Sequence, residues 1–182
     1  MNTEKFYRRL FSRLETELGS IDPDTIFAIM GFDGGGPLNF NTIGAQKGAQ
    51  FVTYVSCELA LRNEQKPSKF GRYELLTSCN DEDWVRKRLS DIGRMSMTTT
   101  FGHGHTLDFG SFANANESIQ GVIFEKVYDT KIDGRYFGIL RCIGITRTEM
   151  EYGLQCGSAS LFAKLKEAGI YPHTDVNRRS IS

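Results

Sequence analysis

The sequence of 182 residues lacks an excess of charge of either sign, closely paired cysteines and any long apolar run. Its 22 basic residues balance 22 acidic residues, so no bulk charge favours non-specific binding to nucleic-acid phosphates. No segment approaches the ~20 apolar residues of a membrane span, and we expect no membrane insertion. The four cysteines contain no CxxC pair, so the sequence has neither a zinc-ribbon nor a thioredoxin-type motif.

The first residues also lack the features of a targeting segment. Arg8, Arg9 and Arg13 are not followed by an uninterrupted apolar stretch, which a secretory signal requires. Acidic residues in the same segment argue against a mitochondrial presequence. We therefore expect a soluble cytoplasmic protein, folded as one domain over residues 1–182.

Hydrophobic periodicity predicts helices and strands joined mostly by hairpin-length connections. That order favours an α+β fold with a mixed, largely antiparallel sheet and helices packed on it. The predicted elements are a helix over Thr3–Leu18 ending at Gly19, a turn over Ser20–Asp24, a β-rich run over Thr25–Phe32, a long strand over Gln50–Leu61, a strand over Gly71–Ser78, a helix from Asp81, a short strand over Thr106–Phe109, strands over Ile119–Tyr128 and Arg135–Ile145, and a last helix to Gly169.

Two of these predictions carry further detail. The strand over Arg135–Ile145 is apolar on both faces, which is typical of a central strand covered on both sides. The last helix opens with a capping-box pattern from Thr146 to Glu149. Its expected buried stripe consists of Met150, Leu154, Leu161 and Leu165.

The glycine run Gly34-Gly35-Gly36 is a candidate phosphate-binding loop. A P-loop continues with Gly-Lys-Ser/Thr into a helix, whereas Pro37 follows here. We therefore interpret the segment as a flexible connection or a loop that contacts a partner.

His103 and His105 are the candidate metal ligands, with Asp108 nearby as an oxygen donor. A structural zinc site needs four ligands, and His173 is the one histidine that remains. The pattern favours a glycine-flexed polar loop, and we predict no metal or cofactor.

A hydrolase that uses a Cys–His pair is an alternative. Cys57 and Cys142 lie in predicted strands, where a cysteine usually acts as a small buried hydrophobe. Cys156 lies between Gly153 and Gly157, where small residues favour close packing. The pattern therefore gives the enzyme little support.

The run from Arg72 to Arg94 predicts a strand that enters a helix led by acidic residues and Trp84. Trp84 is expected to pack against the sheet, with a partner-binding anchor as the alternative. The strand Tyr73-Glu74-Leu75 followed by this helix resembles the bacterial single-domain branch of the suppressor-of-fused family.

Further segments resemble the same family in the same order, over about residues 30–180. Pro37 to Gly44 is similar to its early loop and turn, and Gly104 to Gly110 to its middle glycine-containing segment. Glu149 lies in a similar strand-to-helix entry, and Asp175 and Arg178 in a similar closing tail. The resemblance implies that Tyr73, Glu74, Leu75, Trp84, Glu149, Asp175 and Arg178 are framework residues of the fold.

The resemblance also implies a non-enzymatic protein-binding domain. Many bacterial relatives are regarded as immunity proteins or antitoxins that occlude a cognate polymorphic toxin encoded nearby, whereas a scaffold or regulatory module is the alternative. The oligomeric state is left open. The expected partner-binding residues lie in two glycine-containing loops, namely Asp33, Gly34, Gly35, Gly36, Pro37, His103 and His105.

Overall fold

An eight-stranded mixed sheet forms the centre of the computed structural model, which describes residues 3–32, 36–44, 48–110 and 117–181. The strands lie in the order β1-β2-β3-β4-β7-β6-β5, and β8 pairs with β4. Neighbours are antiparallel except β4–β7 and β4–β8, so the predicted mixed, largely antiparallel α+β fold is confirmed. The elements are α1 (Thr3–Leu18), β1 (Ile21–Phe32), β2 (Gly36–Ile43), β3 (Val52–Cys57), β4 (Arg72–Cys79), α2 (Glu82–Met95), β5 (Thr106–Asp108), β6 (Gly121–Ile132), β7 (Arg135–Ile145), α3 (Arg147–Cys156), α4 (Ser158–Glu167) and β8 (His173–Thr174).

The predicted central strand is β7, which lies between β4 and β6. Its residues Ile139, Leu140 and Cys142 are fully buried, as expected for a strand covered on both faces. The hairpin to β6 turns at Asp133 and Gly134, whose φ angles are 48° and 81°. A two-residue hairpin turn with positive φ at both residues matches the twist of the paired strands. Asp followed by Gly is a favoured sequence for this turn.

The turn predicted over Ser20–Asp24 is wrong, because β1 already begins at Ile21. Ile21 pairs with Ile43 and Asp22 with Thr42 across β2. The register is irregular between Asp22 and Phe27. An edge strand with such an irregularity tolerates Pro23, which has no backbone N–H to donate.

The long strand predicted over Gln50–Leu61 is shorter in the structure. β3 ends at Cys57 because Glu58 adopts a left-handed backbone with φ of 77°. The backbone N–H of Glu58 donates to the hydroxyl of Tyr7 on α1. Leu59 beyond it is fully buried, but in a turn rather than in the strand.

The predicted last helix is two helices, because the chain breaks at Gly157. The capping box is confirmed, since the Thr146 hydroxyl accepts from the Glu149 N–H and the Glu149 carboxylate accepts from the Thr146 N–H. The stripe prediction fails at Leu154, whose side chain is 74% exposed. The break re-orients the chain, so α4 buries its own residues Leu161 and Leu165.

Helix α2 follows the prediction at its N-terminus. Asp81 caps it by accepting from the backbone N–H of Trp84 at 2.7 Å. Trp84 is 8% exposed and its ring lies edge-on to Phe109, with centroids 6.2 Å apart. The expected burial of Trp84 is confirmed.

A buried ion pair ties the C-terminal segment to α3. Arg178 donates to both carboxylate oxygens of Glu149 and, at 2.9 Å, to the carbonyl of Gly144. The Ile181 N–H donates to the same carboxylate at 3.1 Å. Burial would raise the pKa of Glu149, but Arg178 and these donors hold that pKa below its usual value. Glu149 is therefore ionised, and Arg178 stabilises its buried negative charge.

We expect Arg178→Ala to lower the free energy of unfolding by about 3 kcal/mol, because it leaves the buried Glu149 carboxylate without its cation. Arg179→Ala is the matched control: this neighbouring side chain is exposed, and a change within about 0.5 kcal/mol is expected. Urea unfolding of both variants measures the difference. Equal stabilities would show that the pair is not structural.

A second buried carboxyl, that of Glu74 in β4, joins three parts of the chain. It accepts from the hydroxyl of Tyr7 on α1, from Ser56 on β3 and from the N–H of Ala60, the first and third at 2.8 Å. Burial raises the pKa of Glu74 to about 7, and the three donors limit that rise. Burial and the Glu74 carboxyl also raise the pKa of Tyr7, which keeps its hydroxyl a donor.

The pH dependence of stability tests this carboxyl. A folded-state pKa of about 7 above an ordinary value of 4.5 makes its contribution complete below pH 4.5 and lost as the pH rises through 7. We expect the stability of the wild type relative to Glu74→Gln to fall by about 3 kcal/mol over this interval. Parallel stability curves for the two proteins would contradict the assignment.

Candidate partner-binding site

An open cleft of about 590 Å³ lies beside the predicted His103–His105 loop. We call it the β6 cleft, because Lys126 and Asp129 of β6 form one wall. The opposite wall is the turn before β4, and Tyr136 at the start of β7 closes one end. Its lining consists of residues 68–70, residues 100–103, His105, Lys126, Asp129 and Tyr136.

The His103–His105 loop is fixed by backbone pairing to β6. The Gly104 N–H donates to the Phe124 carbonyl at 2.7 Å, and the Phe124 N–H donates to the His105 carbonyl at 2.9 Å. The His103 ring stacks on Phe162 of α4 with centroids 5.4 Å apart. Both histidines are exposed, so the loop presents imidazoles from an anchored backbone.

The floor of the cleft is aromatic. Phe101 is 3% exposed and stacks on Phe124 of β6, with centroids 4.7 Å apart. Phe70 lies on β7 at Gly138, where an added Cβ would be 2.5 Å from the Phe70 ring. A side chain at position 138 would therefore displace the floor.

Exposed groups surround this floor. Tyr136 is 55% exposed, and the Lys131 ammonium lies 5.6 Å from the centre of its ring. Lys126 forms an ion pair with Asp129 at 2.7 Å, which neutralises the Asp129 carboxylate. Lys69 is exposed at the tip of the turn before β4. The rim is therefore positively charged.

The structure brings together only part of the predicted partner-binding set. Asp33, Gly34 and Gly35 lie outside the described residues, and Gly36 and Pro37 begin β2. β2 runs in the same direction as β4 and β7, so it begins at the end of the sheet where Tyr136 lies. In the strand order, β3 and β4 separate β2 from β7.

Sequence reasoning missed the other groups of the cleft. Lys69, Phe70 and Lys126 lie in segments that periodicity predicts only as a turn or a strand. Tyr136 was expected on a covered face of β7, whereas it is more than half exposed. Its position directly after the Asp133-Gly134 turn is the signal for this exposure, because strand ends at hairpin turns face solvent.

The candidate metal ligands do not converge. Asp108 forms an ion pair with Arg147, and its carboxylate also accepts from the Gly110 N–H at 2.8 Å. The hydrogen bond from Arg147 holds the pKa of Asp108 below its usual value. Within the parts of the chain that the structure describes, no three His, Cys, Asp or Glu residues are placed to hold a metal ion.

The thiols lack the features of an activated nucleophile. Burial raises the pKa of Cys57, of Cys79 (to about 12) and of Cys142. A nucleophilic cysteine instead needs a lowered pKa and solvent access. Cys156 on α3 is exposed.

We expect one of the four thiols of the native protein, Cys156, to react rapidly with an alkylating reagent. Burial protects Cys79 and Cys142, and the partly buried Cys57 thiol donates to the Asn41 side chain, so these three should react only after denaturation. Mass spectrometry of the labelled peptides measures this, and Cys156→Ser removes the rapid reaction. Rapid alkylation of Cys57 or Cys142 would instead support the hydrolase alternative.

The family model of the suppressor of fused protein (SUFU) matches residues 34–179, more than half of the chain. The chain therefore belongs to the suppressor-of-fused family, and the resemblance indicated by Tyr73-Glu74-Leu75 and Trp84 is confirmed. This is a non-catalytic protein-binding family, which indicates a protein-interaction role. No curated protein matches the chain.

Solved structures of the family share the fold. A suppressor-of-fused homologue from Neisseria gonorrhoeae FA 1090 superposes with a TM-score of 0.65 at 19% identity, over 97% of each chain. A chain of the Sufu–Fu complex gives a TM-score of 0.68 at 11% identity, over 97% of this chain and 91% of the other. Drosophila Suppressor of Fused gives a TM-score of 0.59 at 12% identity, over 79% of this chain and 42% of the other.

In the part of the chain that is described, no helix is long and apolar enough to cross a bilayer.

Proposed function

We propose that this member of the suppressor-of-fused family is a bacterial immunity protein that binds a toxin encoded nearby and neutralises it by occlusion. Family membership over residues 34–179 carries the proposal, because it supports protein binding rather than catalysis. The Sufu–Fu complex is a relative with this fold in a complex.

The proposed surface is the β6 cleft with its His103–His105 loop, together with residues 33–37, of which Gly36 and Pro37 begin β2. The cleft combines a buried aromatic floor with the exposed ring of Tyr136, and exposed aromatic side chains are frequent hot spots of interfaces. Occlusion needs shape and charge complementarity and no reacting group. The positive rim would also accelerate capture of a partner that is acidic at its contact surface.

Expression beside the candidate toxin tests the function. We expect this protein to restore growth to cells that express the neighbouring toxin and to co-purify with it. An unrelated toxin is the control and should be neither neutralised nor co-purified. A stable partner without toxicity would favour the scaffold alternative, and the absence of both rescue and co-purification would contradict the immunity proposal.

The surface is tested by alanine substitutions. Tyr136→Ala and the double variant His103→Ala/His105→Ala should each weaken toxin binding at least about tenfold, because truncating a hot spot costs about 2 kcal/mol or more. Leu154→Ala is the matched control, since Leu154 is also an exposed apolar side chain but lies on α3 outside the cleft lining. Calorimetric titration measures the affinities. Unchanged affinity in both cleft variants would show that the toxin binds elsewhere.

A further inference from the structure

We propose that the β6 cleft binds an acidic segment of the protein partner, in which carboxylates flank an aromatic or aliphatic side chain. This inference rests on the proposed protein-binding function and adds the chemistry of the segment that is recognised. It follows from three features: Lys69 in the cleft lining with Lys131 over the ring of Tyr136, a hydrogen-bond donor on the cleft wall, and the buried aromatic floor.

The cations come first. Lys126 is already paired with Asp129 at 2.7 Å, so these two charges cancel. No carboxylate forms an ion pair with Lys69 or Lys131 in the described part of the chain. Their uncompensated positive charges favour an anionic partner.

The position of Lys69 is fixed. Ser68 and Gly71 exchange two backbone hydrogen bonds of 2.9 and 3.0 Å, which makes Lys69 and Phe70 the tip of a tight turn. Gly71 has φ of +90°, and an added Cβ would lie 1.9 Å from the Tyr136 carbonyl oxygen. The backbone of the turn therefore packs directly against β7 at Tyr136, and Lys69 extends from this turn into the cleft lining.

Lys131 lies on the other side of the same aromatic ring. It pairs in register with Tyr136 across the β6–β7 hairpin, so the two side chains share a face of the sheet. Its ammonium lies 5.6 Å from the ring centre. The two lysines thus flank an exposed aromatic side chain. This arrangement complements a partner segment in which two carboxylates flank an apolar side chain.

The histidine loop adds a donor to this arrangement. The Nδ1 atom of His103 accepts from the Lys126 N–H at 3.3 Å, so the proton of the neutral ring lies on Nε2. The cleft wall therefore offers an N–H donor in addition to the lysines. Phe70 and Phe101 below it supply the apolar surface for the side chain between the carboxylates.

The experiment uses the whole chain and short fluorescent peptides of alternating aspartate and tryptophan, with asparagine–tryptophan and lysine–tryptophan peptides for comparison. We expect the aspartate peptide to bind at least about tenfold more tightly than either of the others, and its affinity to fall as salt is added. Equal binding of the aspartate and asparagine peptides would overturn the proposal. Preferential binding of single-stranded RNA of equal charge would overturn it as well.

Charge reversal locates the site. Lys69→Glu/Lys131→Glu should weaken binding of the aspartate peptide at least about tenfold, whereas Lys66→Glu, at an exposed lysine that neither lines the cleft nor lies over the Tyr136 ring, should leave it unchanged. Thermal unfolding confirms that the variants are folded, and Tyr136→Ala, which changes no charge, should also weaken binding. Equal affinity of the wild type and the doubly reversed variant would overturn the assignment.

The outcome is separable from that of the proposed function. If the toxin co-purifies equally with the wild type and with Lys69→Glu/Lys131→Glu, the immunity function holds and the assignment of the cleft is wrong. If the aspartate peptide binds in the cleft but no neighbouring toxin is neutralised, the cleft assignment holds and the immunity function is wrong.

Discussion

The buried carboxyl of Glu74 is the constraint on which the arrangement of the first half of the chain depends. A carboxyl group at the centre of a sheet has lost its water, so it must be compensated by hydrogen bonds from the protein. The donors come from α1, from β3 and from the turn after β3, and α1 is distant in sequence from the other two. Their convergence fixes how α1 lies on the sheet and where β3 ends, because Tyr7 also accepts the Glu58 N–H. One side chain in β4 thereby fixes the positions of α1, of β3 and of the turn after β3.

The parallel pairing of β4 with β7 determines which residues meet at the cleft. Arg72 pairs with Phe137, so the turn before β4 and the start of β7 meet at one end of the sheet. That meeting places Lys69 and Phe70 beside Tyr136, although more than sixty residues separate them in sequence. Gly138 then leaves the space in which the Phe70 ring lies against β7. The position of the cleft is therefore a consequence of strand order.

Local sequence patterns predict most of the helices and strands, but not the contact between the turn before β4 and the start of β7. The Asp133-Gly134 hairpin, the Asp81 cap of α2 and the capping box at Thr146 depend on neighbours within a few residues, so the sequence displays them directly. The parallel β4–β7 pair and the continuation of β1 through Pro23 depend on partners far along the chain, which periodicity does not contain. The exposure of Leu154 likewise depends on the break at Gly157. The sequence predicts partner binding at Asp33–Pro37 and at His103 and His105, of which the two histidines line the cleft. The lysines beside them become recognisable only through strand pairing.

Two groups of ionic residues in the protein have different surroundings. Glu149 with Arg178, and Glu125 with Arg141 at 2.8 Å, are largely buried pairs whose charges cancel inside the fold. Removing one member of such a pair leaves an uncompensated charge, so these residues tolerate little change. Lys69 and Lys131 are exposed, and no ion pair commits them to a carboxylate in the described part of the chain. Substituting them costs the fold little, because a solvated lysine has no buried partner to abandon. The charge beside the cleft can therefore change by substitution while the Glu74 and Glu149 framework stays constant.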